Sequence, residues 1–226
     1  MICFLHGAAG HYGDWSDIID EIPSHAASSF NLYDIVDLSI DEAAQRINNS
    51  HESGGILIGY SMGGRLALHC LIAENSPWDK AIIISAHTGL SSIKDKEIRK
   101  KIDYEWSLLA ESNFDLFLNK WDKQNVFSDS MPINRDYTQL NIASQISTSF
   151  KNWSLSNQKY LNPFLPNIRI PVCWVVGEKD PKFVEIGKNA TTLIPNSELI
   201  ISQSSGHRVP WDDQEFTLNT IKSFIK

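Results

Sequence analysis

The apolar positions of this chain fall into short unbroken runs separated by longer amphipathic stretches. Ile2-Cys3-Phe4-Leu5, Ile56-Leu57-Ile58, Ala81-Ile82-Ile83-Ile84 and Val172-Cys173-Trp174-Val175-Val176 are each apolar at successive positions. Runs of that length match strands covered on both faces, as in a parallel sheet packed between helices. Two weaker patterns, Asn31 to Asp37 with Leu32, Ile35 and Val36 apolar, and Glu198-Leu199-Ile200-Ile201, predict a second strand and a last one. Between these runs the spacing becomes helical over Trp15 to Ile22, Asp41 to Asn48, Leu66 to Ile72, Phe183 to Asn189 and Trp211 to Lys226. Pro23 closes the first of these helices and Pro77 follows the third. Strand and helix alternate, so the pattern predicts a mostly parallel, doubly wound α/β sheet.

From Ser91 to Pro166 the pattern changes. Helical spacing dominates, charge is dense, and Tyr104, Trp106, Phe114, Phe117, Trp121, Phe127, Tyr137, Phe150 and Trp153 crowd one segment with no core strand. Residues 91–166 are therefore expected to be a helical cap inserted into a core formed by 1–90 and 167–226. Most of the aromatics would simply hold the cap to the sheet.

Composition adds limits rather than detail. The 226 residues suffice for one core, and 42% hydrophobic with 21% charged residues is ordinary for a soluble globular protein. No run approaches the ~20 apolar residues that span a bilayer, and the start lacks a signal pattern. No membrane insertion is expected. A formal net charge of -7 argues against general nucleic-acid binding while leaving room for a local basic pocket. Cys3, Cys70 and Cys173 are odd in number, far apart and set in apolar runs, so buried free thiols in a reducing cytoplasmic compartment are expected. Neither a metal nor a cofactor is called for, and a monomer or weak homo-oligomer is the expectation.

The chemistry concentrates at Gly59-Tyr60-Ser61-Met62-Gly63, which reads G-x-S-x-G between a strand and a helix. That is the nucleophile elbow of the α/β-hydrolase fold, where a sharp strand-to-helix turn lifts a serine above the sheet. A serine needs a base, and the base an orienting carboxylate, supplied in this fold in the order Ser, acid, His. His207 stands in the Ser-Gly-His loop after the last strand, whereas His6, His11, His25, His51, His69 and His87 all fall too early for the base. Asp180 ends the penultimate strand's turn, with Glu178 inside that turn as its nearest rival. Asp212 and Asp213 read more simply as the acidic start of the last helix. The expected triad is Ser61, Asp180 and His207. The oxyanion hole would use backbone N–H groups of Met62 and of Ala8, in the His6-Gly7-Ala8 loop after the first strand. The fold expected is thus an α/β-hydrolase without the N-terminal hairpin of larger members.

Further segments sharpen this. Gly59-Tyr60-Ser61-Met62-Gly63-Gly64-Arg65, Phe4-Leu5-His6-Gly7 with Trp15, Ala86-His87-Thr88-Gly89-Leu90, and Gly177-Glu178-Lys179-Asp180-Pro181-Lys182-Phe183 occur in order. Together with Trp121 through Gln124-Asn125-Val126-Phe127, they resemble the MenH family, the synthases of 2-succinyl-6-hydroxy-2,4-cyclohexadiene-1-carboxylate in menaquinone and phylloquinone biosynthesis. The resemblance implies a lyase step in which Ser61, made basic by His207 and Asp180, removes a ring proton and pyruvate leaves. It implies a small polycarboxylate substrate met by Tyr60, Arg65, His87, Arg99 and Trp121. For Arg99 the alternative is a solvated helix face among Lys94, Lys96, Lys100 and Lys101. Three departures stand out: Asp122 occupies a position where the family usually has Tyr, a second cap arginine has no counterpart (Arg135 is out of register), and the Gly-His-Gly segment near the second strand is lacking. The same triad on this fold would also serve a serine esterase or C–C hydrolase, and a non-catalytic binding module is the third reading.

Overall fold

A computed structural model describes residues 1–226 except 23–25, 52 and 134–141. Among the described residues six strands form one sheet in the order β2-β1-β3-β4-β5-β6. They are β1 (Ile2–Leu5), β2 (Ala27–Phe30), β3 (Ile56–Tyr60), β4 (Lys80–Ile84), β5 (Val172–Gly177) and β6 (Ser197–Ser202). Every neighbouring pair is parallel.

The unbroken apolar runs are explained by the pleat. Successive side chains point to opposite faces, and both faces are covered. Cys3, Leu5, Leu57, Ala81, Ile83, Trp174 and Val176 enter one core cluster. It also takes in side chains of α2 (Ile40–Asn49), α3 (Met62–Ile72), α4 (Ile93–Ser112), α5 (Phe114–Trp121), α6 (Ala143–Asn152) and α7 (Pro181–Leu193). Ile2, Phe4, Ile58, Tyr60, Ile82, Ile84, Cys173 and Val175 enter the other, against α1 (Ser16–Asp20), α8 (Val209–Asp212) and α9 (Gln214–Phe224). Helices α4, α5 and α6 all fall between the adjacent strands β4 and β5 and share the first cluster with the sheet.

Two expected elements differ. The second strand lies at Ala27–Phe30 rather than at 31–37, where Leu32–Ile35 instead forms a 3-10 turn. Strand β2 is an edge strand and only partly buried, so its sequence, Ala-Ser-Ser-Phe, carries little apolar signal. The Asn31 side chain accepts the Tyr33 N–H and caps the turn, whose apolar side chains pack into the first cluster. The single C-terminal helix expected over 211–226 is broken at Asp213, which caps α9 by accepting the Phe216 N–H. Pro23, the expected stop of the first helix, lies outside the described residues, as do His25, Arg135 and Tyr137.

Cys3, Cys70 and Cys173 are buried and free, and burial pushes the Cys3 and Cys173 thiols up to about 12. No described helix is long and apolar enough to cross a membrane.

Candidate active site

Strand β3 delivers Ser61 directly to the N-terminus of α3. Ser61 sits at φ 51°, ψ -107°, a conformation costly for any residue with a side chain. The turn is enforced by close packing. A Cβ on Gly59 would lie 2.5 Å from the Gly63 carbonyl oxygen, and one on Gly63 would lie 2.3 Å from that of Leu5. Glycine at both positions is thus a spatial requirement. The Ser61 N–H donates to the Ile84 carbonyl at 2.8 Å, tying the elbow to β4.

The three loops expected to meet do meet. His207 Nε2 lies 3.1 Å from Ser61 Oγ, and His207 Nδ1 lies 2.8 Å from Asp180 Oδ2. Because an ionised carboxylate only accepts, Nδ1–H donates to Asp180 and Nε2 is left to accept from the serine hydroxyl. Asp180 is buried, while its rival Glu178 is exposed. Asp180 also caps α7 through the Phe183 N–H at 3.4 Å, so one carboxylate starts a helix and orients the imidazole. The His207 ring lies against Phe183, centroids 4.4 Å apart, with Phe127 and Tyr60 each at 5.7 Å.

A cavity of about 200 Å³ opens above Ser61. Ala8 and Met62, the expected oxyanion residues, line it beside the serine. Beneath the loop that carries Ala8, His6 is fully buried. Its Nδ1–H donates to the Gly7 carbonyl at 2.9 Å while Nε2 accepts the Leu32 N–H at 3.3 Å, which fixes a neutral ring. Arg65, His87, Arg99 and Trp121 line the same cavity. Tyr60 does not. It has the parity of Ile58, so its ring faces the α1/α9 side, edge-on to Trp211 at 5.0 Å and against Gly7. The Tyr60 ring thus packs beside His207 and against the oxyanion loop.

The lining is cationic. Arg65 is buried, its Nε donating to Gln158 Oε1 at 2.6 Å and an Nη to the Trp153 carbonyl at 2.5 Å. Arg99 donates to Asp103 Oδ1 at 2.8 Å. Lys182 joins them on the wall. These charges oppose one another. Burial and then Arg99 lower the Arg65 guanidinium to about 9, and burial and then Arg99 lower Lys182. Burial, followed by Lys182, Arg65 and Arg99, takes His87 down to about 3. Three cations line the cavity with one carboxylate, Asp103, so the wall carries net positive charge.

Sequence reasoning missed several lining groups. Lys182 was legible, two residues after Asp180 at the start of a helix that opens on the cavity. Asp103 lies four residues after Arg99, a helical pairing distance. Phe127, Phe150 and Phe183 carry no local signal, since nothing in the sequence separates a lining aromatic from a packing one.

Comparison with known proteins agrees with this geometry. A family profile described as alpha/beta hydrolase fold matches residues 25–214. A Haemophilus influenzae protein is 25% identical over 99% of this chain and 96% of its own length. The 2-succinyl-6-hydroxy-2,4-cyclohexadiene-1-carboxylate synthase of Photorhabdus laumondii is 27% identical over 83% of this chain and 73% of its own. Among solved structures, MenH from S. aureus superposes with a TM-score of 0.87 at 22% identity, covering 99% of this chain and 92% of that one. The chain belongs to the alpha/beta hydrolase fold family, and MenH is the branch of that family its sequence resembles.

Proposed function

We propose that the protein is a carbon–oxygen lyase. It eliminates pyruvate from 2-succinyl-5-enolpyruvyl-6-hydroxy-3-cyclohexene-1-carboxylate to give 2-succinyl-6-hydroxy-2,4-cyclohexadiene-1-carboxylate. The observation that carries this reading is the convergence of Arg65, Arg99 and Lys182 in the cavity directly above Ser61. A neutral ester offers such a wall nothing to bind, whereas a polycarboxylate satisfies it. The name of the Photorhabdus laumondii relative supports the same substrate class.

The triad supplies the chemistry. His207, oriented by Asp180, draws the Ser61 proton toward Nε2, and the resulting alkoxide character lets Ser61 Oγ take a proton from the ring carbon. The C2–H electron pair forms a C2=C3 double bond, the existing C3=C4 pair shifts to C4–C5 and breaks the C5–O bond to the enolpyruvyl group, and the proton removed is returned to the departing enolate, which leaves as pyruvate. No water is consumed. During proton removal negative charge builds on an oxygen of the substrate, and in this reading the N–H groups of Met62 and Ala8, residues that line the cavity, hold it. The guanidinium groups and Lys182 hold the carboxylates, so the reacting C–H bond faces the serine.

Incubation with the enolpyruvyl substrate should release pyruvate. Turnover of p-nitrophenyl esters with no pyruvate release would replace this reading by that of a serine esterase or C–C hydrolase. Wild-type behaviour of Ser61→Ala in every assay would leave a binding module.

A further inference from the structure

Outside the cavity wall, the segment that follows α5 is fastened to the loop that carries His207. Arg208, the residue after the base, is 2% exposed although it bears a charge. One Nη is bonded to the Asp122 carboxylate, the other donates to the Met131 carbonyl at 3.1 Å, and the guanidinium lies 4.0 Å over the Phe127 ring. Its backbone N–H donates to Ser130 Oγ at 3.0 Å. On the other side of His207, the Gly206 N–H donates to Asp212 Oδ2 at 2.9 Å, and the same carboxylate accepts from Ser130 Oγ at 2.8 Å and the Met131 N–H at 2.7 Å. Both peptide neighbours of the base are thus held by a network that ends on residues 122–131.

We propose that Asp122 and Arg208 form a clasp that keeps His207 aligned with Ser61, which makes both of them positioning residues for the base. The clasp acts by two routes. It pins the backbone on the C-terminal side of His207, and it clamps Phe127, whose ring faces that of His207 at 5.7 Å and that of Trp121 at 5.8 Å. Phe183 and Tyr60 confine that ring from the sheet side, so Phe127 is the wall contributed by the inserted helices. The fork of arginine suits the task, because one guanidinium reaches a carboxylate, a carbonyl and an aromatic face together. Asp122 is also the position where the related family usually has tyrosine, so the acid is a departure of this chain. Neither residue lines the cavity, which separates their role from substrate recognition.

The inference rests on His207 acting as the base for Ser61, and its test does not need the proposed substrate. Labelling of Ser61 by a small fluorophosphonate reads serine and base alone. Asp122→Ala and Arg208→Ala are each expected to slow labelling, and kcat for pyruvate release with it, by about tenfold or more. The double variant should be no slower than Arg208→Ala, since one device is removed in both cases. Phe127→Leu, which keeps both charges, should slow labelling similarly. Should Arg208→Ala fail to fold, Asp122→Ala still decides, because that side chain is 39% exposed. Wild-type labelling in Asp122→Ala would overturn the proposal, whether KM alone rises or the melting temperature alone falls. A wild-type protein that labels normally and releases no pyruvate would defeat the lyase reading while leaving the clasp to be judged by labelling.

Discussion

Acid should loosen this protein through His87. Its Nδ1 accepts the Gly89 N–H at 3.0 Å, a bond open only to a neutral ring. It faces Lys182, Arg65 and Arg99, and with burial as the largest cause its pKa falls from 6.5 to about 3. In the unfolded chain His87 titrates near ~6.5. Between those values the unfolded state takes a proton that the folded state refuses, so stability is full above the unfolded pKa and declines as pH falls toward the folded one. The slope is about 1.4 kcal/mol per pH unit, so near pH ~4.5 His87 costs roughly 2–3 kcal/mol. Urea unfolding of wild type and His87→Asn at about pH 7 and about pH 4.5 isolates it, because His69 and the carboxylates titrate alike in both proteins. Asparagine keeps an acceptor for Gly89 and cannot take up a proton. The wild type should lose about 2 kcal/mol more than the variant on acidification. Parallel losses in the two proteins would refute the reasoning.

Two further substitutions test other parts of the account. Arg65→Met strands the buried Gln158 Oε1 and Trp153 carbonyl, which should cost about 3 kcal/mol and lower the melting temperature by roughly 10 °C. It should also raise KM for a polycarboxylate by about tenfold, and an unchanged KM would remove Arg65 from the recognition wall. Gly63→Ala places a methyl 2.3 Å from the Leu5 carbonyl oxygen and 2.6 Å from that of His6, backbone that carries the oxyanion loop. Ser61 labelling by a fluorophosphonate should fall about a hundredfold with the circular dichroism of the folded protein retained, and normal labelling would contradict the packing argument.

How much of this was written in the sequence depends on how local each feature is. The buried strands announced themselves because both faces are covered, and each run of apolar residues is one strand. The order Ser61, Asp180, His207 was legible because three strand ends require loops at those points, and burial then separates Asp180 from Glu178. Strand β2 was misplaced because an edge strand of Ala, Ser, Ser and Phe is weaker in pattern than the Leu-Tyr-Asp-Ile turn after it. The packing of Tyr60 was not legible, because proximity to Ser61 in sequence says nothing about pleat parity, which puts its ring in the cluster on the α1/α9 side. Lys182 could have been found from its place at the start of α7. The Asp122–Arg208 contact could not, since its partners are 86 residues apart and each reads alone as a surface charge.

The central claim is that Ser61 serves an elimination in a cation-lined cavity. Wild type and Ser61→Ala should be given the enolpyruvyl cyclohexene substrate while pyruvate, by a coupled dehydrogenase, and the conjugated diene, by ultraviolet absorbance, are followed together. The account predicts pyruvate and diene appearing in equal amounts with wild type, and a rate at least about a thousandfold lower with Ser61→Ala. No pyruvate from the wild type, or equal rates from the two proteins, would contradict it.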